Sequence, residues 1–278
     1  MAFAFLTVAH DNWLTRPGIT VTPPTSLAGR PFTRAYDGTE ILPWSPSGAN
    51  ATESIKFDFG PGGSSCPDYM LVAGSNMDEL GVGVSIFYSD DDILYTIIFA
   101  TPALPGAVQL WTEDPARYGI TPHRYWRYDF TGIPASGFQA GEISTGRRVK
   151  LRHVGPVGFD PLQEDLEVLE SRTEAGYLLR TRRLAADRIN RFRWKLVPGA
   201  QVDLDHPFEG FRYFWENHAS LGKPFACGWA GSINGAYMRD CMFAVADQKL
   251  SRVPTGPALV AGAAVDLTVR GPRGWRLE

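Results

Sequence analysis

The residues of this 278-residue chain that are able to do chemistry are spread thinly. Five histidines, His10, His123, His153, His206 and His218, stand far apart in sequence. Only His206 and His218 share an expected element, and they lack the i, i+4 spacing with which one helix offers two imidazoles to a metal ion. Ser64 and Ser65 follow Pro61-Gly62-Gly63 without the Gly-x-Ser-x-Gly elbow that exposes a nucleophile. Gly60 to Gly63 is not followed by the Lys-Ser/Thr pair of a phosphate loop. Asp90-Asp91-Asp92 supplies carboxylates, but three acids at the end of an apolar run read as a hairpin tip that keeps a strand edge from pairing. No nucleophile, base and orienting group come together, so no catalysis is expected.

Binding chemistry has better candidates. A sugar site needs an aromatic platform with hydrogen-bonding groups beside it. Trp44, next to Ser45, and Trp111, followed by a polar segment holding Arg117 and Tyr118, have these types in expected loops. The competing reading makes Trp44 a plug at one end of a sandwich and Trp111 a core residue. The basic run from Arg172 to Lys195 alternates with apolar residues and has Asp187, Asp203, Asp205 and Glu209 near it. That suits the solvated face of a sheet, or an arginine-rich subunit interface, better than DNA. A net charge of −3 gives no general attraction to nucleic acid or to an anionic membrane surface.

These groups must be positioned by short strands, because 29 glycines and 21 prolines punctuate the chain too often for long helices. Strands are expected at Phe3 to Ala9 (at a sheet edge), Ile55 to Gly60, Tyr69 to Ala73, Val82 to Tyr88, Leu94 to Ala100, Val108 to Trp111, Tyr125 to Phe130 and Ala140 to Thr145. In Tyr69 to Ala73 both alternating faces are apolar, which predicts a strand covered on both sides. The first half therefore reads as an all-β sandwich without a helix. Composition changes at Gly155 to Pro161, giving a division into residues 1–155, a linker at 156–165 and a smaller α+β part at 166–278. In that second part Glu164 to Arg172 is a strand or a connector, and Tyr177 to Arg183 and Arg191 to Val197 are two strands. Asp203 to Pro207 reads as a helix start, and Phe208, Phe211, Phe214 and Trp215 share one helical face that Gly222 ends. Phe225 to Trp229, Tyr237 to Val245 and Val265 to Arg270 complete a sheet or split barrel carrying one helix. The fold class is mainly β.

Cys66, Cys227 and Cys241 are an odd number with no Cys-x-x-Cys pair, so neither a disulfide framework nor a zinc site is expected, and synthesis in a reducing compartment fits. Met1 to Ala9 is too short to span a membrane and lacks the basic start and cleavage site of a signal peptide.

Four segments in order carry a family resemblance: the strand ending in Ala73-Gly74-Ser75-Asn76, the strand ending in Tyr88-Ser89-Asp90-Asp91, Arg124-Tyr125-Trp126-Arg127-Tyr128, and Gly141-Glu142-Ile143-Ser144-Thr145-Gly146. Together they resemble discoidin-like (galactose-binding-like) jelly rolls, and more narrowly the version found in bacteriophage tail proteins. The resemblance covers roughly the first 155 residues. The second half is similar, more weakly, to the tail-tube-derived domains of distal tail and tail-tip proteins. The resemblance implies a structural, non-enzymatic component of a phage tail tip or baseplate, made in the bacterial cytoplasm and carried in the virion. Its C-terminal part would assemble as a symmetric ring around the tail axis. Its jelly roll would contact fibres, neighbouring baseplate proteins or host surface sugars, with no specific nucleic acid and no membrane insertion. Discoidin-like domains often hold a structural calcium ion, for which Asp37, Thr39 and Glu142 are the matching positions. The alternative is a carbohydrate-binding module that uses Trp44, Trp111 and Tyr118 as its platform.

Overall fold

The computed structural model describes residues 5–38, 42–48, 50–101, 108–111, 120–135, 137–152, 164–172, 178–198, 210–228, 232–233, 237–238, 241–246, 251–255 and 262–272. The protein is mainly β. In chain order its strands are β1 (Phe5–Ala9), β2 (Thr20–Thr22), β3 (Thr52–Asp58), β4 (Tyr69–Ala73), β5 (Gly83–Ser89), β6 (Thr96–Thr101), β7 (Val108–Trp111), β8 (Tyr125–Thr131), β9 (Glu142–Gly146) and β10 (Arg148–Arg152). They continue with β11 (Glu164–Arg172), β12 (Leu178–Pro198), β13 (Phe225–Gly228), β14 (Ser232–Ile233), β15 (Tyr237–Met238), β16 (Cys241–Ala246), β17 (Ser251–Thr255) and β18 (Gly262–Pro272). Among the described residues no helix is long and apolar enough to cross a membrane.

The strands form three antiparallel sheets. One has the order β2-β3-β8-β5-β6, the second β14-β15-β7-β4-β9, and the third β10-β1-β13-β16-β18-β12-β11 with β17 also on β18. The first two close on each other as the expected sandwich. In β3 the residues Glu53, Ile55 and Phe57 are buried while Ser54, Lys56 and Asp58 reach outward, the period-2 pattern of a strand with one wet face. Trp13, Trp44, Phe57, Trp126, Tyr128, Phe130 and Phe138 fill the space between the sheets with Met70 and Val72. Most of these rings meet edge to face, as their quadrupoles prefer: Trp44 with Phe138 at 5.7 Å between centroids, Phe57 with Tyr128 at 5.4 Å.

β4 is buried along its whole length, as its sequence predicts. Met70 and Val72 face the sandwich core, while Tyr69, Leu71 and Ala73 face a second core with Ala9, Val108, Leu110, Ala226, Cys241 and Phe243. That second core joins the sandwich to the third sheet. On the far side of the third sheet Val8, Val149, Phe225, Cys227, Met242, Leu267 and Val269 pack with Phe211 and Phe214 of the helix Phe211–Asn217. All three cysteines are buried free thiols; Cys227 and Cys241 lie on neighbouring strands but in cores on opposite faces.

Several details differ from the sequence reading. β1 is no edge strand: it lies between β10 and β13. Edge and interior strands look alike when, as here, Val8 and Ala9 serve cores on opposite faces. Sheet membership crosses residue 155, since β1 and β10 belong to the third sheet while β14 and β15 extend the sandwich through Tyr237 opposite Trp111. The two strands expected between residues 177 and 197 are one 21-residue strand, β12. Its first half pairs with β11 and its second with β18, so one strand serves two partners in succession. Tyr237 to Val245 is not one strand, but splits into β15 and β16 in different sheets. The helix begins after Gly210, and the expected start at Asp203 to Pro207 lies outside the described residues. The helix gives way to a 3-10 turn, Ala219–Leu221, that Gly222 ends at a φ of +69°, a left-handed conformation that favours glycine. The first half also holds two single helical turns, Phe32–Tyr36 and Met77–Leu80, too short to show a period in sequence.

A chain cut after residue 155 leaves β1 without β13 and exposes the Tyr69, Leu71 and Ala73 face. It is expected to lose cooperative melting, followed by circular dichroism. A sharp transition at the full chain's midpoint would show that the two halves fold independently.

Candidate functional site

The sandwich, β1 and the turn ahead of β13 meet at a cleft of about 350 Å³. Its wall comes from six separated segments. The end of β1 and the turn after it give Ala9, His10, Asn12 and Thr15; the end of the 3-10 turn gives Tyr36, Asp37 and Gly38. Leu71 comes from β4, Glu142 and Ser144 from β9, His218, Lys223, Pro224 and Phe225 from the approach to β13, and Phe243 from β16. The floor is apolar (Leu71, Phe225, Phe243) and the rim is polar, with Asp37, Lys223 and Thr15 exposed and Tyr36 half-buried. The volume lies within the range of small-ligand sites.

Local chemistry fixes this wall. Asn12 donates from Nδ2 to the Ile143 carbonyl at 3.3 Å and accepts the Leu14 N–H at 3.0 Å, which turns the chain out of β1. Glu142, 6% exposed, accepts the Gly38 N–H at 3.0 Å and so ties β9 to the Asp37-Gly38 turn. Ser144 shares a 2.6 Å hydrogen bond with Tyr69, whose hydroxyl also donates to the Asp11 carbonyl. The Asp11 carboxylate accepts the Arg147 N–H at 3.0 Å and lies 3.6 Å from the Arg16 guanidinium. Gly146 has to be glycine, because a Cβ there would sit 2.4 Å from the Asp11 carbonyl oxygen. His218 donates from Nε2 to the Pro224 carbonyl at 2.7 Å, which assigns the proton to Nε2 and leaves Nδ1 an acceptor. The His10 ring lies 5.6 Å from His218 and 5.2 Å from Phe214, and its buried Nε2 meets no hydrogen-bond partner among the described residues.

The sequence candidates fall differently. Trp44 is fully buried and donates from Nε1 to the Thr25 carbonyl at 2.9 Å, and Trp111 is 1% exposed. Neither offers a face to a sugar, because both rings are consumed in filling the sandwich; the plug and core readings describe them. Tyr118 lies outside the described residues, as does Thr39. Asp37 and Glu142 are brought together through Gly38. Calcium takes six to eight oxygens. Among the described residues no group of three or more Asp, Glu, His or Cys side chains is placed to hold an ion, so these two carboxylates do not by themselves make a calcium site. Asp90 to Asp92 form a hydrogen-bonded loop. Asp91 accepts the N–H groups of Ile93 and Leu94 at 2.8 and 2.9 Å, Asp92 takes Lys56 at 3.3 Å, and Asp90 takes His123 at 2.9 Å. Arg127 is clasped between Phe87 and Tyr95, at 4.5 and 4.3 Å from their centroids. The cleft residues Asn12, Tyr36 and Lys223 were not singled out from the sequence, and nothing there joined His10 to His218 or Ser144, because pairing between distant strands assembles them.

No family model and no curated protein matches the sequence. Among solved structures the chain is similar to a GH29 fucosidase from Ruminococcus gnavus, in complex with fucose, at 15% identity and a TM-score of 0.39, over 49% of this chain and 26% of that one. It is also similar to chitosan-binding module 1 of a chitosanase/glucanase from Paenibacillus sp. IK-5 (19%, TM-score 0.37, over 50% of this chain and 100% of that one). A third likeness is to CBM32-1 of a family 31 glycoside hydrolase from Clostridium perfringens (13%, TM-score 0.35, over 47% and 95%). The match thus spans about a quarter of the fucosidase's length.

Burial sets opposed proton affinities on adjacent residues. Burial, with the neighbouring His218, lowers the His10 imidazole to about 3, while burial raises the Asp11 carboxyl to about 6 against the pull of the Arg147 N–H and Arg16. Between pH 3.8 and about 6 the unfolded chain carries a proton on His10 that the folded chain lacks, so this group loses stability as pH falls. Over the same window the folded chain carries a proton on Asp11 that the unfolded chain lacks, so that group gains stability as pH falls. Each slope is at most about 1.4 kcal/mol per pH unit, and they cancel. Urea midpoints measured across this window are expected to rise on acidification in His10→Gln and to fall in Asp11→Asn. Parallel profiles in the two variants would refute the assignment.

The protein is mainly β, and its first two sheets close on each other as a sandwich.

Proposed function

We propose that this chain is a non-catalytic carbohydrate-binding protein whose sugar site is the cleft lined by Tyr36, Asp37, Glu142, Lys223 and Asn12. The observation that carries this reading is the make-up of the wall: a half-buried tyrosine and an apolar floor, ringed by carboxylates, an ammonium and an amide. A sugar ring is apolar on its C–H faces and polar around its edge, and so needs both kinds of surface at once. Glycan-array binding of the full chain followed by calorimetry tests it. Tyr36→Ala is expected to weaken binding by about tenfold, equivalent to about 1.4 kcal/mol, with the melting temperature little changed. Binding that is lost only when the protein unfolds, or no binding to any glycan, overturns it.

A second reading, a structural component of a phage tail tip or baseplate, is favoured by two observations. The Tyr69, Leu71 and Ala73 face welds the jelly roll to the third sheet, as a scaffold part requires. On the sandwich itself, Ile93 and Leu94 at the tip between β5 and β6 are 79% and 77% exposed, and Ile97 on β6 is 52% exposed, an apolar group suited to a neighbouring protein. In that setting the jelly roll would contact fibre or baseplate proteins, or bring the sugar site to a host surface. Antibody labelling of virions is expected to decorate the tail end; purified particles lacking the chain would exclude this reading.

A further inference from the structure

His10 and His218 come from distant parts of the chain and meet in the wall of the cleft. His10 follows β1, and His218 follows the helix Phe211–Asn217. Their ring centroids are 5.6 Å apart and their planes cross at 44°. An ion that takes one nitrogen from each of two imidazoles at about 2.0–2.1 Å sets the ring centroids roughly 5–6 Å apart. The observed spacing falls in that range. Burial keeps both rings neutral, and for His10 the neighbouring His218 adds to the effect. A neutral imidazole has one nitrogen that carries a proton and one with a lone pair to give.

The hydrogen bonds say which nitrogen is which. His218 donates from Nε2 to the Pro224 carbonyl at 2.7 Å, so its lone pair is on Nδ1. A ring held through one nitrogen by a carbonyl, with the other nitrogen open, is the usual setting of a histidine that ligates a metal. His10 repeats the arrangement. Its ring hydrogen-bonds its own backbone, while its buried Nε2 meets no partner among the described residues. Phe214 and Tyr213 flank the ring at 5.2 and 6.3 Å between centroids, and the residue is 6% exposed. A polar atom buried in such a place without a partner is uncommon and calls for one.

We propose that His10 and His218 bind one divalent transition-metal ion between them, through Nε2 of the first and Nδ1 of the second. Imidazole nitrogen suits zinc, copper and nickel, whereas calcium and magnesium take oxygen. Among the described residues no third Asp, Glu, His or Cys side chain completes the set, so the site is of the open kind, with water in the remaining positions. His218 is only partly buried and gives the ion its way in from the cleft. The proposal does not rest on the sugar reading. A chain that binds zinc but no glycan keeps this site and loses that reading, and a chain that binds glycan but no ion does the reverse.

Calorimetric titration of the full chain with Zn²⁺ at neutral pH, free of chelator, is expected to show one ion bound per chain. Excess Zn²⁺ is expected to raise the melting temperature, because the unfolded chain does not bring the two rings together. His10→Phe, which keeps a ring in the packing, and His218→Gln are each expected to weaken binding by about tenfold or more. His123→Gln, whose ring stacks on Tyr88 outside the cleft, is expected to bind as the parent does. If His10→Phe fails to melt cooperatively, His218→Gln and paramagnetic resonance of the Cu²⁺-loaded parent decide, the spectrum being expected to show two imidazole nitrogens on the copper. A parent chain that binds neither ion, undiminished affinity in His218→Gln, or a copper spectrum with a single imidazole would overturn the proposal.

Discussion

The double burial of β4 is the constraint on which the rest of the structure depends. Its five residues have no wet face: Met70 and Val72 belong to one core, Tyr69, Leu71 and Ala73 to another. Burying a large apolar side chain stabilises by roughly 1.5–3 kcal/mol. Covering only one face of β4 would leave Leu71 and the Tyr69 ring in water. The third sheet is the cover, and it is built from both ends of the chain, β1 and β10 from one side and β13, β16 and β18 from the other. The sandwich thus shares a buried core with the third sheet.

That layering makes the cleft. Two sheets packed face to face leave a gap where their edges diverge, and here the corner is turned by Asn12 at the end of β1 and by His218 ahead of β13. The polar groups beneath are satisfied in a chain from Ser144 through Tyr69 to the Asp11 carbonyl, and from the Asp11 carboxylate to the Arg147 N–H. Buried polar groups of this kind are tolerated only when partnered. The chain also explains why Gly146 gives way to Asp11. These bonds hold the floor in place, whereas Asp37 and Lys223 at the rim are exposed.

The sandwich strands were legible because alternation and turn residues are local signals. Ile55 to Gly60 alternates, Tyr125 to Phe130 alternates, and Tyr69 to Ala73 announces its double burial by being apolar throughout. What failed to read out was partnership. Nothing in Phe5 to Ala9 says whether its neighbours are one strand or two, and nothing between Arg183 and Arg191 says that the chain runs straight on while changing partner from β11 to β18. The cleft was illegible for the same reason, since its residues run from Ala9 to Phe243 and share no local pattern.

The tryptophans show how composition misleads about sites. A surplus of large rings suggests platforms, yet Trp13, Trp44, Trp111 and Trp126 are all at most 1% exposed. Strands of four to seven residues cannot close a sandwich with aliphatic side chains alone, because each contributes only two or three inward positions. Large rings make up the volume, and their edge-to-face contacts fix it, as in the set of Trp13 with Phe57, Phe59 and Trp126. In a short-stranded sandwich, then, tryptophan is first a measure of how much core a few residues must fill. A binding surface is better sought where a ring is left half covered beside charge. Tyr36 over the cleft meets that condition, and so do Phe87 and Tyr95 about Arg127.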